Sequence, residues 1–204
     1  MPSTLIPPGE TFKKERLQRC AGDDLLGVLP ESVALNWSTL FAQVLMRSTS
    51  DTTGEPPIVI INRGAWFTPD MGVHMAGIEH AISMALSAKA LVFYRTTHTG
   101  HAGAAALRQS PPLNSYEVQT SDEEPYSFEW VQFEHINQYT ISRLDERTTV
   151  VLDIFPATKL RADSHPFIAS DYRLDSFHYC APGPVDFWTE LLVNAIRWLH
   201  ERDT

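Results

Sequence analysis

An aspartate and a histidine near the end of the sequence have the spacing of a catalytic acid–base pair. Asp175 stands three residues before His178, and a Pro/Gly-rich turn follows them. A carboxylate beside an imidazole fixes its tautomer and stabilises its protonated form, so the imidazole can accept a proton from a nucleophile. An isolated D-x-x-H is more often a pair of surface residues on a turn, so the surrounding sequence has to decide between the two interpretations.

The residues after the turn predict a helix that would hold this pair in place. Pro184 suits the first helical turn, and Asp186 places negative charge near the positive end of the helix dipole. Apolar residues then recur at helical spacing and predict one buried face: Trp188, Leu191, Leu192, Ala195, Ile196 and Leu199. We expect the helix to anchor a loop that presents Asp175 and His178 together.

Three short apolar segments upstream predict a parallel sheet. They lie at 58–61, 90–94 and 149–155, and helical patterns at 71–89 and 130–144 separate them. This alternation predicts an α/β fold, with a parallel sheet covered by helices on both faces as a three-layer sandwich. The continuous apolar run at 58–61 predicts a strand buried on both faces. A further helix is predicted at 33–46.

Polar residues follow the predicted strands at the edge where parallel sheets bind ligands. Asn62 and Arg63 follow the first strand, Arg95 and His98 follow the second, and Asp153 lies in the third segment. We expect the D-x-x-H loop to close over the same edge.

The composition predicts one domain and excludes several kinds of partner. The chain has 204 residues with 43% hydrophobic content, enough for a single core at 17–204 behind a loose leader at 1–16. The net charge is −9, with no basic run, so neither nucleic acid nor an anionic membrane surface is an expected partner. No apolar stretch approaches the roughly 20 residues of a membrane span, and the start does not resemble a signal peptide.

Histidines and cysteines do not predict a metal or cofactor. The histidines that could meet near the sheet edge lack tight ligand spacing, so no metal site is expected: His98, His101, His165 and His178. Cys20 and Cys180 could pair or could both be buried thiols, which leaves the redox compartment open.

The ending of the chain resembles the last block of the SGNH/GDSL hydrolases. It is most similar to the PC-esterase branch, which includes the trichome-birefringence-like polysaccharide O-acetyltransferases. That ending reads D-C-x-H-W-C-L-P-G-x-x-D-x-W-N-x-L-L, and residues 175–192 read DSFHYCAPGPVDFWTELL, with Ser176 and Tyr179 as departures. Further blocks follow the family order: VIINRGAWF at 59–67, FYRT at 93–96, VLDI at 151–154 and LRADSHP at 160–166.

The resemblance implies a flavodoxin-like SGNH fold and a Ser-His-Asp mechanism on an acyl ester. Asp175 and His178 would be the catalytic acid–base pair. The substrate would be an O-acetylated carbohydrate, and the reaction would be hydrolysis or O-acetyl transfer. The family works in the secretory pathway, which implies a Golgi location for the full-length protein. The chain itself leaves the compartment unknown.

The resemblance also assigns supporting residues. Oxyanion or substrate-binding roles fall to the residues of two blocks: Asn62, Arg63, Gly64, Trp66 and Arg95. Alternatives remain open, since Asn62 could form a turn, Arg95 could pair with Asp153, and Trp66 could belong to the core. Three residues are expected to support the site without touching substrate: Asp153, Asp163 and His165. The family cysteine that matches Cys180 is disulfide-bonded, which implies a bond to Cys20.

The nucleophile is the main departure from the family pattern. The family serine stands in a Gly-Asp-Ser block after the first strand, and neither that block nor G-x-S-x-G occurs in the chain. Residues 22–25 read GDDL and are better interpreted as a turn, while Ser164, Ser170 and Ser176 lie in the wrong region. We expect the chain to match the C-terminal portion of the family domain and to be inactive alone. The alternative is an inactive SGNH-like chain that binds a glycan or a protein.

Overall fold

A three-stranded parallel sheet forms the centre of the fold. The computed structural model describes residues 55–64, 70–107, 110–117, 127–165, 167–168 and 173–202. The strands β1 (Ile58–Ile61), β2 (Leu91–Arg95) and β3 (Val150–Leu152) lie side by side in that order. Ile60 lies opposite Phe93, and Tyr94 lies opposite Val151. The predicted α/β fold with a parallel sheet is confirmed.

Five helices and a 3-10 helix accompany the sheet in the described part of the chain. They are α1 (Met71–Ser87), α2 (Ala104–Leu107), α3 (Ser127–Ile141), α4 (Phe155–Thr158), the 3-10 helix Ala162–Ser164 and α5 (Pro184–Arg202). Two short antiparallel strands, β4 (Phe167–Ile168) and β5 (Arg173–Leu174), lie immediately before Asp175. None of the described helices is both long enough and apolar enough to cross a bilayer.

Helices α1 and α5 pack on opposite faces of the sheet. Val92 on β2 packs with Ala85 of α1, and Tyr94 packs with Ile78 of the same helix. Arg95 follows Tyr94 and therefore points to the other face, since successive side chains of a strand alternate. Its guanidinium lies over the ring of Trp188 in α5, 5.1 Å from the centroid. The described elements thus form three layers.

The expectation that the first strand is buried on both faces is wrong. Val59 is buried against α1, but Ile58 is 48% exposed and Ile60 is 47% exposed. In the part of the chain that the structure describes, β1 is the edge strand and only the face toward α1 is covered. A short apolar run cannot reveal this, because it reads the same for an edge strand as for a central one.

The helix patterns locate α1, α3 and α5, with small shifts at the ends. Helix α1 begins at Asp70, whose carboxylate accepts hydrogen bonds from the N–H groups of Gly72 (2.9 Å) and Val73 (3.1 Å). The six predicted apolar residues of α5 are half-buried, whereas Phe187, Val193 and Trp198 on the same helix are exposed. One side of α5 thus faces the protein, although none of the six predicted residues is fully buried.

Residues 96–102, which follow β2, are buried. Ala102 belongs to an apolar cluster with Trp130, Phe133, Ile136 and Phe155, and Phe177 of the D-x-x-H loop packs against it. The backbone of Gly100 passes so close to Trp130 that an added Cβ would lie 2.5 Å from its ring. This cluster brings the segment after β2, helix α3 and the D-x-x-H loop together. The helix predicted at 33–46, the leader at 1–16 and the turn at 22–25 lie outside the described residues.

Candidate active site

Asp175 and His178 form a hydrogen-bonded pair in a compact turn. The Nδ1–H of His178 donates to Asp175 Oδ2 at 2.6 Å, as the spacing predicts. The other carboxylate oxygen accepts from the backbone N–H groups of Phe177 (2.9 Å) and His178 (2.8 Å). The turn is therefore closed by the aspartate itself, and the same carboxylate fixes the orientation and the tautomer of the imidazole.

The electrostatics of the pair favour a charged aspartate and a basic histidine. Burial raises the pKa of the Asp175 carboxyl, but hydrogen bonds from the His178 ring and from two backbone N–H groups hold that pKa below its usual range. The hydrogen bond to Asp175 raises the pKa of His178 above its ordinary value. The His178 side chain is 71% exposed, and its Nε2 has no hydrogen-bond partner among the described residues. This nitrogen can accept a proton from a hydroxyl group that approaches the turn.

Three consecutive carbonyl groups hold the turn to the rest of the protein. Each accepts a hydrogen bond from a histidine: Ser176 O from the backbone N–H of His101 (2.8 Å), Phe177 O from His98 Nε2 (3.1 Å) and His178 O from His165 Nδ1 (2.6 Å). We call these three histidines, His98, His101 and His165, the histidine clamp. His98 and His101 follow β2, so the clamp places the turn beyond the carboxyl end of that strand.

Tyr179 adds a further attachment beside the clamp. Its hydroxyl lies 3.1 Å from the carbonyl oxygens of both Thr99 and Thr158. Its ring stacks on His165 with a centroid distance of 4.5 Å and meets the edge of Trp188 at 5.8 Å. At the start of α5, Asp186 Oδ2 accepts from the N–H of Gly183 at 2.6 Å, which joins the loop to the helix.

Asn62 joins the ends of β1 and β2. Its Nδ2 donates to the carbonyl oxygen of Arg95 at 2.7 Å and to Thr97 Oγ1 at 3.0 Å. An amide nitrogen has only two hydrogens, so both are used within the protein. Asn62 would have to release one of these bonds to reach an oxyanion. The oxyanion role stays a prediction, and in this structure Asn62 also links the ends of the two strands.

Arg63 and Gly64 also serve the fold in this structure. Arg63 Nη1 donates to the carbonyl oxygens of Val73 (3.0 Å) and His74 (3.1 Å) in α1. Gly64 is buried, and a Cβ added there would lie 1.4 Å from Thr97 Oγ1. Only glycine permits this approach. Trp66 of the same block lies outside the described residues, so its predicted role is untested.

The alternative pairing of Arg95 with Asp153 is not present. Arg95 is half-buried and contacts the face of Trp188, while Asp153 accepts a hydrogen bond from Thr96 Oγ1 at 3.0 Å. The Thr96 hydroxyl also accepts from the N–H groups of Ile154 (2.9 Å) and Phe155 (3.2 Å). Asp153 therefore lies at the junction between β2 and β3, where its recorded partner is Thr96.

Asp163 and His165 make contacts close to the turn, and their supporting role stays a prediction. Asp163 forms a two-pronged ion pair with Arg161, with both nitrogen–oxygen distances at 2.9 Å. Ser164 Oγ takes part in this group, 2.7 Å from Arg161 Nη2 and 3.2 Å from Asp163 Oδ2. His165 reaches the carbonyl of His178, so it touches the main chain of the candidate base and not its ring.

No group of three or more possible metal ligands converges within the described ranges. His101 and His165 do meet, with Nδ1 of the first 2.8 Å from Nε2 of the second. Cys180 is an exposed free thiol, and Cys20 lies outside the described residues, so the proposed disulfide stays a prediction.

The sequence pattern does not predict the clamp, because it does not show which distant carbonyl groups the histidines contact. A signal was available, since His98 and His101 follow a strand whose carboxyl end was already expected to face the site.

One protein family and two curated proteins match parts of this chain. Residues 73–195 match PC-Esterase, a GDSL/SGNH-like acyl-esterase family found in Pmr5 and Cas1p.

Xyloglucan O-acetyltransferase 1 of Arabidopsis thaliana is 33% identical over 73 residues, which cover 30% of this chain and 17% of that protein. Protein trichome birefringence-like 13 of Arabidopsis thaliana is 37% identical over 65 residues, which cover 31% of this chain and 16% of that protein. The chain thus aligns with less than a fifth of the length of either relative, and no solved structure matches it significantly. Because the family match covers more than half of its residues, the chain belongs to the PC-Esterase family.

Proposed function

We propose that this chain carries the acid–base half of an acyl-ester site, in which His178 is the general base and Asp175 orients it. The observation that supports this most strongly is the 2.6 Å hydrogen bond from His178 Nδ1 to Asp175, with Nε2 left exposed. In a surface pair without a chemical role, there is no need for one ring nitrogen to be held by a carboxylate while the other is left exposed.

In the proposed reaction a serine hydroxyl gives its proton to His178 Nε2 as the oxygen attacks the ester carbonyl. Asp175 stabilises the imidazolium that forms, and the imidazolium then protonates the leaving sugar oxygen. Water or a second sugar hydroxyl attacks the acyl-serine, again with His178 as the base, and the imidazolium returns the proton to the serine oxygen as its bond to the acyl group breaks. Backbone N–H groups would stabilise the oxyanion, together with Asn62 if it releases an internal bond.

Two serines near the candidate base are poorly placed to be the nucleophile. Ser164 is hydrogen-bonded to Asp163 and Arg161, and Ser176 is buried within the turn. With no Gly-Asp-Ser in the sequence, we propose that a serine outside these 204 residues completes the site.

The proposed substrate is an O-acetylated polysaccharide. This rests on the family, on the relative named as a xyloglucan O-acetyltransferase, and on the exposed position of His178. A bulky polymer can reach such a surface group without entering a deep cavity. The absence of the nucleophile block favours a second candidate, an inactive chain that binds a glycan or a protein.

The test measures acetate release from p-nitrophenyl acetate and from acetylated xyloglucan oligosaccharides. The purified chain and its His178→Ala variant should not differ, because the nucleophile is missing. The reading frame extended upstream to a Gly-Asp-Ser block should turn over both esters and should lose that activity with His178→Ala.

Two outcomes would overturn parts of this proposal. Robust turnover by the present chain that depends on His178 would mean that one of its own serines is the nucleophile. An extended form whose turnover does not depend on His178 would contradict the assignment of the base. Glycan binding without turnover by the extended form would favour the second candidate.

A further inference from the structure

Two neutral imidazoles do not carry enough hydrogens for the hydrogen bonds that His101 and His165 make. His101 Nε2 lies 2.9 Å from the carbonyl oxygen of Lys159, and His165 Nδ1 lies 2.6 Å from that of His178. A carbonyl oxygen only accepts, so each of these nitrogens has to carry a hydrogen. A neutral imidazole has one N–H, which leaves lone pairs on His101 Nδ1 and His165 Nε2.

These two remaining nitrogens face each other at 2.8 Å, the distance of a hydrogen bond. The contact needs a third proton, which gives the pair one positive charge. We propose that His101 and His165 are positioning residues that share one extra proton and, in that form, fix the Asp175–His178 turn against the segment after β2. The catalytic purpose of holding the turn in place rests on the proposed function.

Without the extra proton, a hydrogen bond between the two rings would leave one of the two carbonyl groups, that of Lys159 or that of His178, without its donor. If His165 donated from Nε2 to His101, its Nδ1 would present a lone pair to the His178 carbonyl. If His101 donated from Nδ1, the Lys159 carbonyl would lose its donor instead. The complete set of three bonds therefore exists only in the protonated form.

The surroundings of the pair suit a shared cation that is held weakly. His101 is 5% exposed and His165 is 3% exposed. Burial lowers the pKa of both imidazoles, that of His165 to about 4, while the bonded carbonyl groups and nearby carboxylates oppose this. The titratable and charged groups that face the pair are Asp163 with its partner Arg161, Asp175, His98, Tyr116 and Tyr179.

The sign of the pH dependence follows from the lowered pKa values. The pair gains its shared proton as the pH falls below the ordinary histidine pKa of about 6.5. At acidic pH the pair makes all three of its bonds. At higher pH it gives up one of them: the bond to the His178 carbonyl, the bond to the Lys159 carbonyl or the bond between the two rings. Because the two imidazoles share the proton, they should titrate as one unit.

The test is a nuclear magnetic resonance titration of the chain with ¹⁵N-labelled histidine side chains, from about pH 8 to about pH 3. We expect one common step for His101 and His165, with His101 Nε2 and His165 Nδ1 protonated in the acidic form. The backbone amide signals of residues 176–180 should shift with the same midpoint.

Two variants remove the shared proton while keeping a polar side chain. In His101→Asn, the amide nitrogen can replace Nδ1 as a neutral donor to His165, so the His165 step and the shift of residues 176–180 should disappear. In His165→Asn, the amide can still donate to the His178 carbonyl, and His101 should lose its step. His80→Asn, at an exposed position of α1, is the matched control and should leave the common step unchanged.

Separate steps for the two histidines, a step that persists in His101→Asn, or a pair that never gains the proton would overturn the proposal. The titration requires no turnover. The result of the titration therefore does not depend on whether the chain is active. If the shared proton is not found, the proposed roles of Asp175 and His178 are still open to their own tests.

Discussion

The turn at 175–178 and the segment at 62–64 both lie at the sheet edge, yet they use their polar atoms in opposite ways. In the turn, the carbonyl groups are bound by the clamp while His178 Nε2 stays exposed. In the segment, the Asn62 amide and the Arg63 guanidinium donate to groups within the fold. One block of the sequence thus leaves a histidine nitrogen exposed, while another uses its polar groups to join the ends of the strands.

Replacement of Asp175 should reduce activity more than any other change proposed here. In the extended form that contains the serine, Asp175→Asn should lower kcat on the order of 10⁴-fold, because the imidazole loses its tautomer control and its counter-charge. Acetate release under saturating substrate measures this. Asp145→Asn removes an exposed carboxylate in the turn before β3 and should have little effect on kcat. Equal losses in the two variants would mean that Asp175 has no special role.

Gly64→Ala should have the largest effect on stability. The added Cβ would overlap the Thr97 hydroxyl, so the ends of β1 and β2 would have to separate, at a cost of about 3 kcal/mol or more. Urea unfolding measures the change. Gly72→Ala in α1 is the matched control, since the nearest atom to its added Cβ is 3.1 Å away on a side chain. Similar midpoints for the two variants would contradict the close packing at Gly64.

Asn62→Ala should give a smaller effect that distinguishes the two roles of this residue. Loss of its two internal hydrogen bonds should lower the free energy of unfolding by about 1–2 kcal/mol. Asn114→Ala, at an exposed position, should leave it unchanged. If Asn62 acts mainly as an oxyanion donor, the extended form would instead lose roughly 10²–10³-fold in kcat with little change in stability.

The sequence predicts the sheet better than it predicts the surroundings of the site. Strand periodicity and helix spacing locate β1, β2, α1 and α5, because local apolar patterns reflect which faces are buried. They do not reveal that Ile58 and Ile60 are exposed, since edge and central strands differ in their neighbours and not in their own residues. The spacing of Asp175 and His178 predicts their hydrogen bond because the turn that joins them is local.

The clamp could not be predicted in the same way. His98 and His101 meet the turn across almost 80 residues of sequence, as the His98–Phe177 bond shows. The buried His101–His165 contact also depends on the path of the chain after β3. Asn62 has the residue type of an oxyanion donor, and only the structure shows that its two N–H groups are already bound.

Titration of the His178 ring by nuclear magnetic resonance, in the wild-type chain and in Asp175→Asn, measures whether Asp175 makes His178 a stronger base. We expect a wild-type pKa above the ordinary value of 6.5, because the carboxylate favours the imidazolium, and a lower pKa in the variant. The same pKa in both proteins would mean that Asp175 does not activate His178, which would then be an ordinary surface histidine.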